Sequence, residues 1–105
     1  MHKLTQSEFQ KKVIDSREKI VIVDFFADWC GPCRQLSPIL EEISDEFSSR
    51  VDIYKVDVGQ EADLARTFEV LSIPTVLFFK NGKKVDEFVG LRDKDSIVEM
   101  IQSNI

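Results

Sequence analysis

Ile20-Val21-Ile22-Val23-Asp24-Phe25-Phe26-Ala27-Asp28-Trp29-Cys30-Gly31-Pro32-Cys33 runs from an apolar segment straight into the only two cysteines of the chain. Ile20 to Ala27 is short, rich in β-branched residues and carries a single charge, the pattern of a strand covered on both faces. A strand of that kind belongs to a sheet whose crossover helices lie over it. The next helix begins at the cysteines themselves. Leu36, Ile39, Leu40, Ile43 and Phe47 recur at helical spacing and predict a helix over about 31–48. Pro38 within it removes one backbone donor and is expected to kink it.

On the N-terminal side, Thr5 and Glu8 have the spacing of a capping box, and Phe9, Val13 and Ile14 form an apolar stripe, predicting a helix over about 5–16. On the C-terminal side, Val51 to Val58 reads as a second internal strand and Gln60 to Phe68 as a short helix with Leu64 and Phe68 inward. Thr75 to Phe79 and Val85 to Val89 flank Asn81-Gly82, a hairpin signal because both turn residues tolerate positive φ. A last helix starts at Asp93, a good N-cap, with Ile97, Met100 and Ile101 facing inward. Strand and helix alternate for two thirds of the chain, then a hairpin and a helix close it. The expected class is therefore α/β, a mixed sheet with helices on both faces.

A length of 105 residues is that of one domain, 1–105, with no internal repeat or linker. The net charge of −5, from 14 basic and 19 acidic residues, argues against a nucleic-acid partner, since no basic run is longer than a pair such as Lys83-Lys84. No apolar run is longer than that of Ile20 to Val23, far from the roughly 20 residues that span a bilayer. The N-terminus lacks the apolar core of a signal peptide, so with Met1 in place the expected location is the cytoplasm. In that reducing compartment a close cysteine pair points to catalysis or metal binding more than to a structural bridge.

Cys30 stands at the start of the second helix, where free amides and the helix dipole stabilise negative charge. The thiolate is the attacking species in disulfide exchange, so this placement suits a nucleophile. Pro32 is tolerated in the first helical turn and holds Cys33 within reach of Cys30. Cys33, further into the helix, is expected to be less exposed and to resolve the mixed disulfide. A zinc site needs about four ligands, and the only histidine, His2, lies at a terminus expected to be mobile. A small metal-binding protein, a structural disulfide, and a binding subunit with incidental thiols remain the alternatives. Asp24 is the other conspicuous residue. Burial in that apolar run disfavours its charged form and makes it a plausible proton carrier near neutral pH. A structural carboxylate bonded to backbone amides is the competing reading.

From Val23 to Cys33 the sequence resembles the active-site stretch of thioredoxins, and Pro38, Lys55, Ile73-Pro74-Thr75, Asn81-Gly82 and Gly90 stand at the intervals that family shows. The resemblance covers the whole chain. It implies the thioredoxin fold, a central mixed sheet of about five strands flanked by four helices. It implies a thiol–disulfide oxidoreductase that reduces protein disulfides, with Cys30 as nucleophile and Cys33 as resolving thiol. Asp24 would assist deprotonation of Cys33 through water, and Lys55 would pair with Asp24 and tune it; a lysine reaching to solvent is the alternative for Lys55.

Pro74 would be cis, bringing its loop against the cysteines, with Gly31 and Pro32 shaping the redox loop. Trp29, Ile73, Thr75, Val89, Gly90 and Leu91 would form a docking surface for an extended client segment. Gly90 is expected to allow close backbone approach. No metal and no bound cofactor are implied. Electrons would come from NADPH through a flavin-dependent thioredoxin reductase. Clients of the ribonucleotide reductase, peroxiredoxin and methionine sulfoxide reductase kinds would receive them, with the chain acting as a monomer. Phe26 stands where many members have tryptophan, Arg34 where many have lysine. Leu71 and Leu91 are bulkier than expected beside the groove, which bears on partner preference.

Overall fold

Ile20–Phe26 (β2) is the middle strand of a five-stranded sheet, and all seven of its residues are buried. The computed structural model describes all 105 residues. Around this strand lie β1 (His2–Lys3), α1 (Gln6–Phe9, continued by a π turn over Gln10–Ile14), α2 (Gly31–Glu46), β3 (Val51–Asp57), α3 (Ala62–Thr67), β4 (Thr75–Lys80), β5 (Lys83–Val89) and α4 (Lys94–Asn104). The sheet order is β1-β3-β2-β4-β5. β1 and β2 run parallel to β3, β4 is antiparallel to β2, and β5 antiparallel to β4, so the sheet is mixed. This is the thioredoxin fold.

The apolar run of β2 lacks alternation because two cores claim its two faces. Ile20 and Ile22 pack with Leu36, Leu40 and Ile43 of α2 and with Ile97 and Ile101 of α4. Val21, Val23 and Phe25 pack on the other face with Phe9 and Val13, and with Leu64 of α3. Side chains alternate along a strand, so Asp24 shares the face of Ile20 and Ile22 and points toward the α2 side. Its neighbours across the sheet are Lys55 on β3 and Val76 on β4.

Several expectations shift at the edges. The terminus carrying His2 is not free: it forms β1 beside β3, and His2 Nε2 lies 3.1 Å from the Glu8 carboxylate. Two residues are too few to show any strand period in the sequence. The first helix stops at Ile14, and the Asp15 amide reaches the Gln10 carbonyl five residues back, at 2.8 Å. An apolar stripe of Phe9 and Val13 fits an α or a π turn alike. The Thr5 amide donates to Glu8 Oε1 at 3.0 Å, as the capping box requires. Asp93 caps α4 by accepting from the Ser96 amide at 2.8 Å.

Asn81 and Gly82 have φ of +53° and +79°, the conformation their residue types favour in a two-residue hairpin. A Cβ at Gly82 would also overlap the Ile14 carbonyl oxygen, so this turn packs against the end of the first helix. Gly31 has no atom within 4 Å of such a Cβ. Gly82→Ala is therefore expected to destabilise the fold by at least about 2 kcal/mol, lowering Tm by roughly 10 °C. Gly31→Ala should melt close to the parent. Equal melting of the two variants would contradict the packing described for the turn.

Candidate active site

Cys30 is the N-cap of α2, and its sulfur is joined to that of Cys33 in a disulfide with a Cα–Cα distance of 5.2 Å. The Cys33 amide donates to Cys30 Sγ at 3.2 Å, so a helix-terminal N–H already points at the first sulfur. A thiolate at that place gains the same donor and the positive end of the helix dipole. Gly31 and Pro32 occupy the first two helical positions, where an absent proline amide breaks no bond. Cys33 was expected to be the less exposed of the two, and it is, at 3% against 5% for Cys30. With the disulfide closed both are buried, because they pack against Phe26, Ala27 and Ile73.

Beneath the pair lies a cavity of about 110 Å³, lined by Asp24, Phe26, Ala27, Asp28, Cys33, Arg34, Ser37 and Lys55. It is polar enough and large enough to admit water. Asp24 is 2% exposed, and its Oδ1 has no hydrogen-bond partner in the protein. The backbone amides that a purely structural carboxylate would need do not reach that oxygen. Burial raises the pKa of Asp24 from 3.8 to about 7, against a smaller downward pull from the Lys55 charge.

Lys55 does not form the expected direct pair with Asp24. Its ammonium instead lies 5.3 Å from the centre of the Phe26 ring, a cation–π position reached because Lys55 and Phe26 share this end of the sheet. It acts on Asp24 at a distance, through its charge. Ser37 was not singled out from the sequence. Helical spacing could have flagged it, since it follows Cys33 by four residues on the same helix face.

Three loops converge on the disulfide. Trp29, immediately before Cys30, is 78% exposed. The Ile73–Pro74 bond is cis, and the Ile73 carbonyl oxygen lies 3.9 Å from Cys30 Sγ. The Gly90 amide donates to the Pro74 carbonyl at 2.8 Å, tying the third loop to the second. Val89 and Leu91 flank Gly90 and are exposed, and Leu71 on the second loop is 96% exposed.

Two expectations change here. Gly90 is not required by a close approach, since nothing lies within 4 Å of a Cβ there; its φ of +88° is what calls for glycine. Thr75, expected on the docking surface, is buried, and its hydroxyl donates to the Ser72 carbonyl at 2.5 Å, which fixes the cis loop.

The raised Asp24 pKa makes stability depend on pH in a definite direction. The folded carboxyl keeps its proton until about pH 7, while the unfolded one loses it near 3.8, so folding binds a proton between those values. Stability from this group is full below about 3.8 and falls as pH rises through about 7. The shift corresponds to roughly 4 kcal/mol. Asp24→Ala is expected to raise Tm of the oxidised protein at pH 8 and to lose that advantage by pH 4. Melting curves across that range check it. A variant less stable than the parent at pH 8 would contradict a desolvated carboxylate.

Comparison with known proteins agrees with this geometry. The family described as Thioredoxin matches residues 1–103. A thioredoxin of Rickettsia bellii is 42% identical over 102 residues, covering 97% of this chain and 96% of that protein. Thioredoxins of Staphylococcus epidermidis, at 38% identity, and Rickettsia felis, at 39%, align over 98% and 97% of this chain and 96% of their own length. With its cysteine pair at the N-terminus of α2 and this match along nearly its whole length, the chain belongs to the thioredoxin family of thiol–disulfide oxidoreductases.

Proposed function

We propose that this chain reduces disulfides in client proteins by dithiol–disulfide exchange. The observation that carries the reading is the Cys30–Cys33 disulfide at the N-cap of α2, with the Cys33 amide on Cys30 Sγ. In the reduced protein, the Cys30 thiolate attacks one client sulfur. A mixed disulfide forms, and the other client sulfur leaves as a thiolate that takes up a proton. Cys33 then loses its proton and attacks Cys30 Sγ, so the client's second sulfur leaves in turn. Two electrons pass from the cysteine pair to the client, and the protein disulfide is restored.

Asp24 is the proton acceptor for Cys33 in this scheme. It lines the same cavity, has a free oxygen, and is poised near neutral pH, as a general base requires. Lys55 tunes it by charge. Trp29, Ile73, Val89, Gly90 and Leu91 receive an extended client segment, and Leu71 widens the apolar rim.

The chain works as one domain and as a monomer in the cytoplasm, without a bound cofactor. A flavin-dependent thioredoxin reductase returns electrons from NADPH. Ribonucleotide reductase, peroxiredoxin and methionine sulfoxide reductase are the kinds of client it serves. No group of three or more His, Cys, Asp or Glu side chains is placed to hold a metal, and no helix is long and apolar enough to cross a membrane.

Reduction of insulin by dithiothreitol should be strongly accelerated by the parent protein and by neither Cys30→Ser nor Cys33→Ser. A double serine variant with full activity would overturn the proposal.

A further inference from the structure

Ser37 lies one helical turn beyond Cys33 on α2, on the wall of the cavity that also holds Asp24. It is half-buried. Hydroxyls inside helices commonly donate to the carbonyl four residues back. Thr67 and Ser103 do so here, each at 2.9 Å, to Asp63 and Glu99. Ser37 makes no such bond and has no partner in the protein. Ser37, Asp24 and Cys33 thus line one polar cavity, and neither the Ser37 hydroxyl nor Asp24 Oδ1 is committed to a partner in the protein. A water in such a space needs two to four polar partners to be held in place. Asp24 and Cys33 alone give it two, and the Ser37 hydroxyl, able to donate and accept, gives it a third.

We propose that Ser37 is a positioning residue whose hydroxyl holds the water linking Cys33 to Asp24 during resolution of the mixed disulfide. The proton of Cys33 passes to that water, and a proton of the water passes to Asp24. The Cys33 thiolate then attacks Cys30 Sγ and forms the Cys30–Cys33 bond, the bond from Cys30 to the client sulfur breaks, and the client thiolate carries its electron pair away. The inference rests on the reading of Asp24 as proton acceptor.

The charged and titratable groups facing Asp24 in the cavity are Lys55 from β3, Asp28 from the loop, and Cys33 and Arg34 from α2. Ser37 is the uncharged polar side chain among them, so its removal leaves the local charge unchanged. Alanine is also the better helix former, which separates loss of rate from loss of fold.

The test is a stopped-flow reaction of the reduced protein with limiting 5,5′-dithiobis(2-nitrobenzoate). The first thionitrobenzoate released reports attack by Cys30, and the second reports attack by Cys33 on the adduct. Ser37→Ala should leave the first phase unchanged and slow the second at least threefold near pH 7, with an altered pH profile. Ser37→Thr, which keeps the hydroxyl, should restore the second phase to within about twofold. The carboxyl ¹³C titration of Asp24 should move upward in Ser37→Ala and return in Ser37→Thr.

Asp24→Asn separates the two claims. A normal second phase in Asp24→Asn overturns the Asp24 reading and this inference together. A slow second phase in Asp24→Asn beside a normal one in Ser37→Ala overturns the inference about Ser37 alone.

Discussion

Burial of β2 on both faces is the constraint from which the rest of the molecule follows. A strand enclosed in this way cannot place a polar side chain in water, yet Asp24 sits in its fifth position with one oxygen unpartnered. The alternation that sends Ile20 and Ile22 into the α2–α4 core sends Asp24 the same way, toward the helix that begins with the cysteines. The carboxyl thus comes to lie beneath Cys33 because strand period and crossover geometry put it there. Desolvation then does the chemical tuning, holding the group near neutrality where it can take and release a proton.

Two kinds of electrostatics divide the work at the site. At the outer sulfur, a helix terminus supplies a backbone N–H and a partial positive charge, which favour a thiolate ready to attack. At the inner sulfur, Cys33 shares with Asp24 the lining of a cavity with room for water, as the proposed proton transfer requires. The loops complete the arrangement by meeting at Cys30 Sγ. The cis peptide turns the Ile73 carbonyl toward the sulfur, Thr75 fixes that loop to Ser72, and Gly90 binds it to the end of β5. Around them Trp29, Leu71, Val89 and Leu91 are exposed apolar side chains, consistent with the client surface proposed above.

Much of this was readable from residue order. The apolar run, the helical stripe after it, the Asn81-Gly82 turn and the Asp93 cap each obey local rules, so the sheet and the helices came out near their observed bounds. What local rules do not reach is mostly long-range. β1 is two residues long and exists only because β3 offers an edge. The family resemblance assigned Lys55 to Asp24, but only the folded structure shows its ammonium over Phe26. Thr75 opens a strand by its pattern and joins the docking surface by resemblance, and strand pairing on both sides is what buries it. Ser37 looks like any helix serine until the cavity wall is drawn. The cysteine pair, by contrast, needed no tertiary context, because its spacing and helix start are both local.

The sulfur that forms the covalent bond to a client is the most direct test of the proposed mechanism. Reduced Cys33→Ser protein, mixed with a disulfide-bonded peptide and quenched with acid, should carry one peptide, and mass spectrometric mapping should place it on Cys30. Under the same conditions reduced Cys30→Ser should carry far less. A peptide found chiefly on Cys33, or equal trapping in the two variants, would contradict a nucleophile at the N-cap and a resolving thiol above the Asp24 cavity.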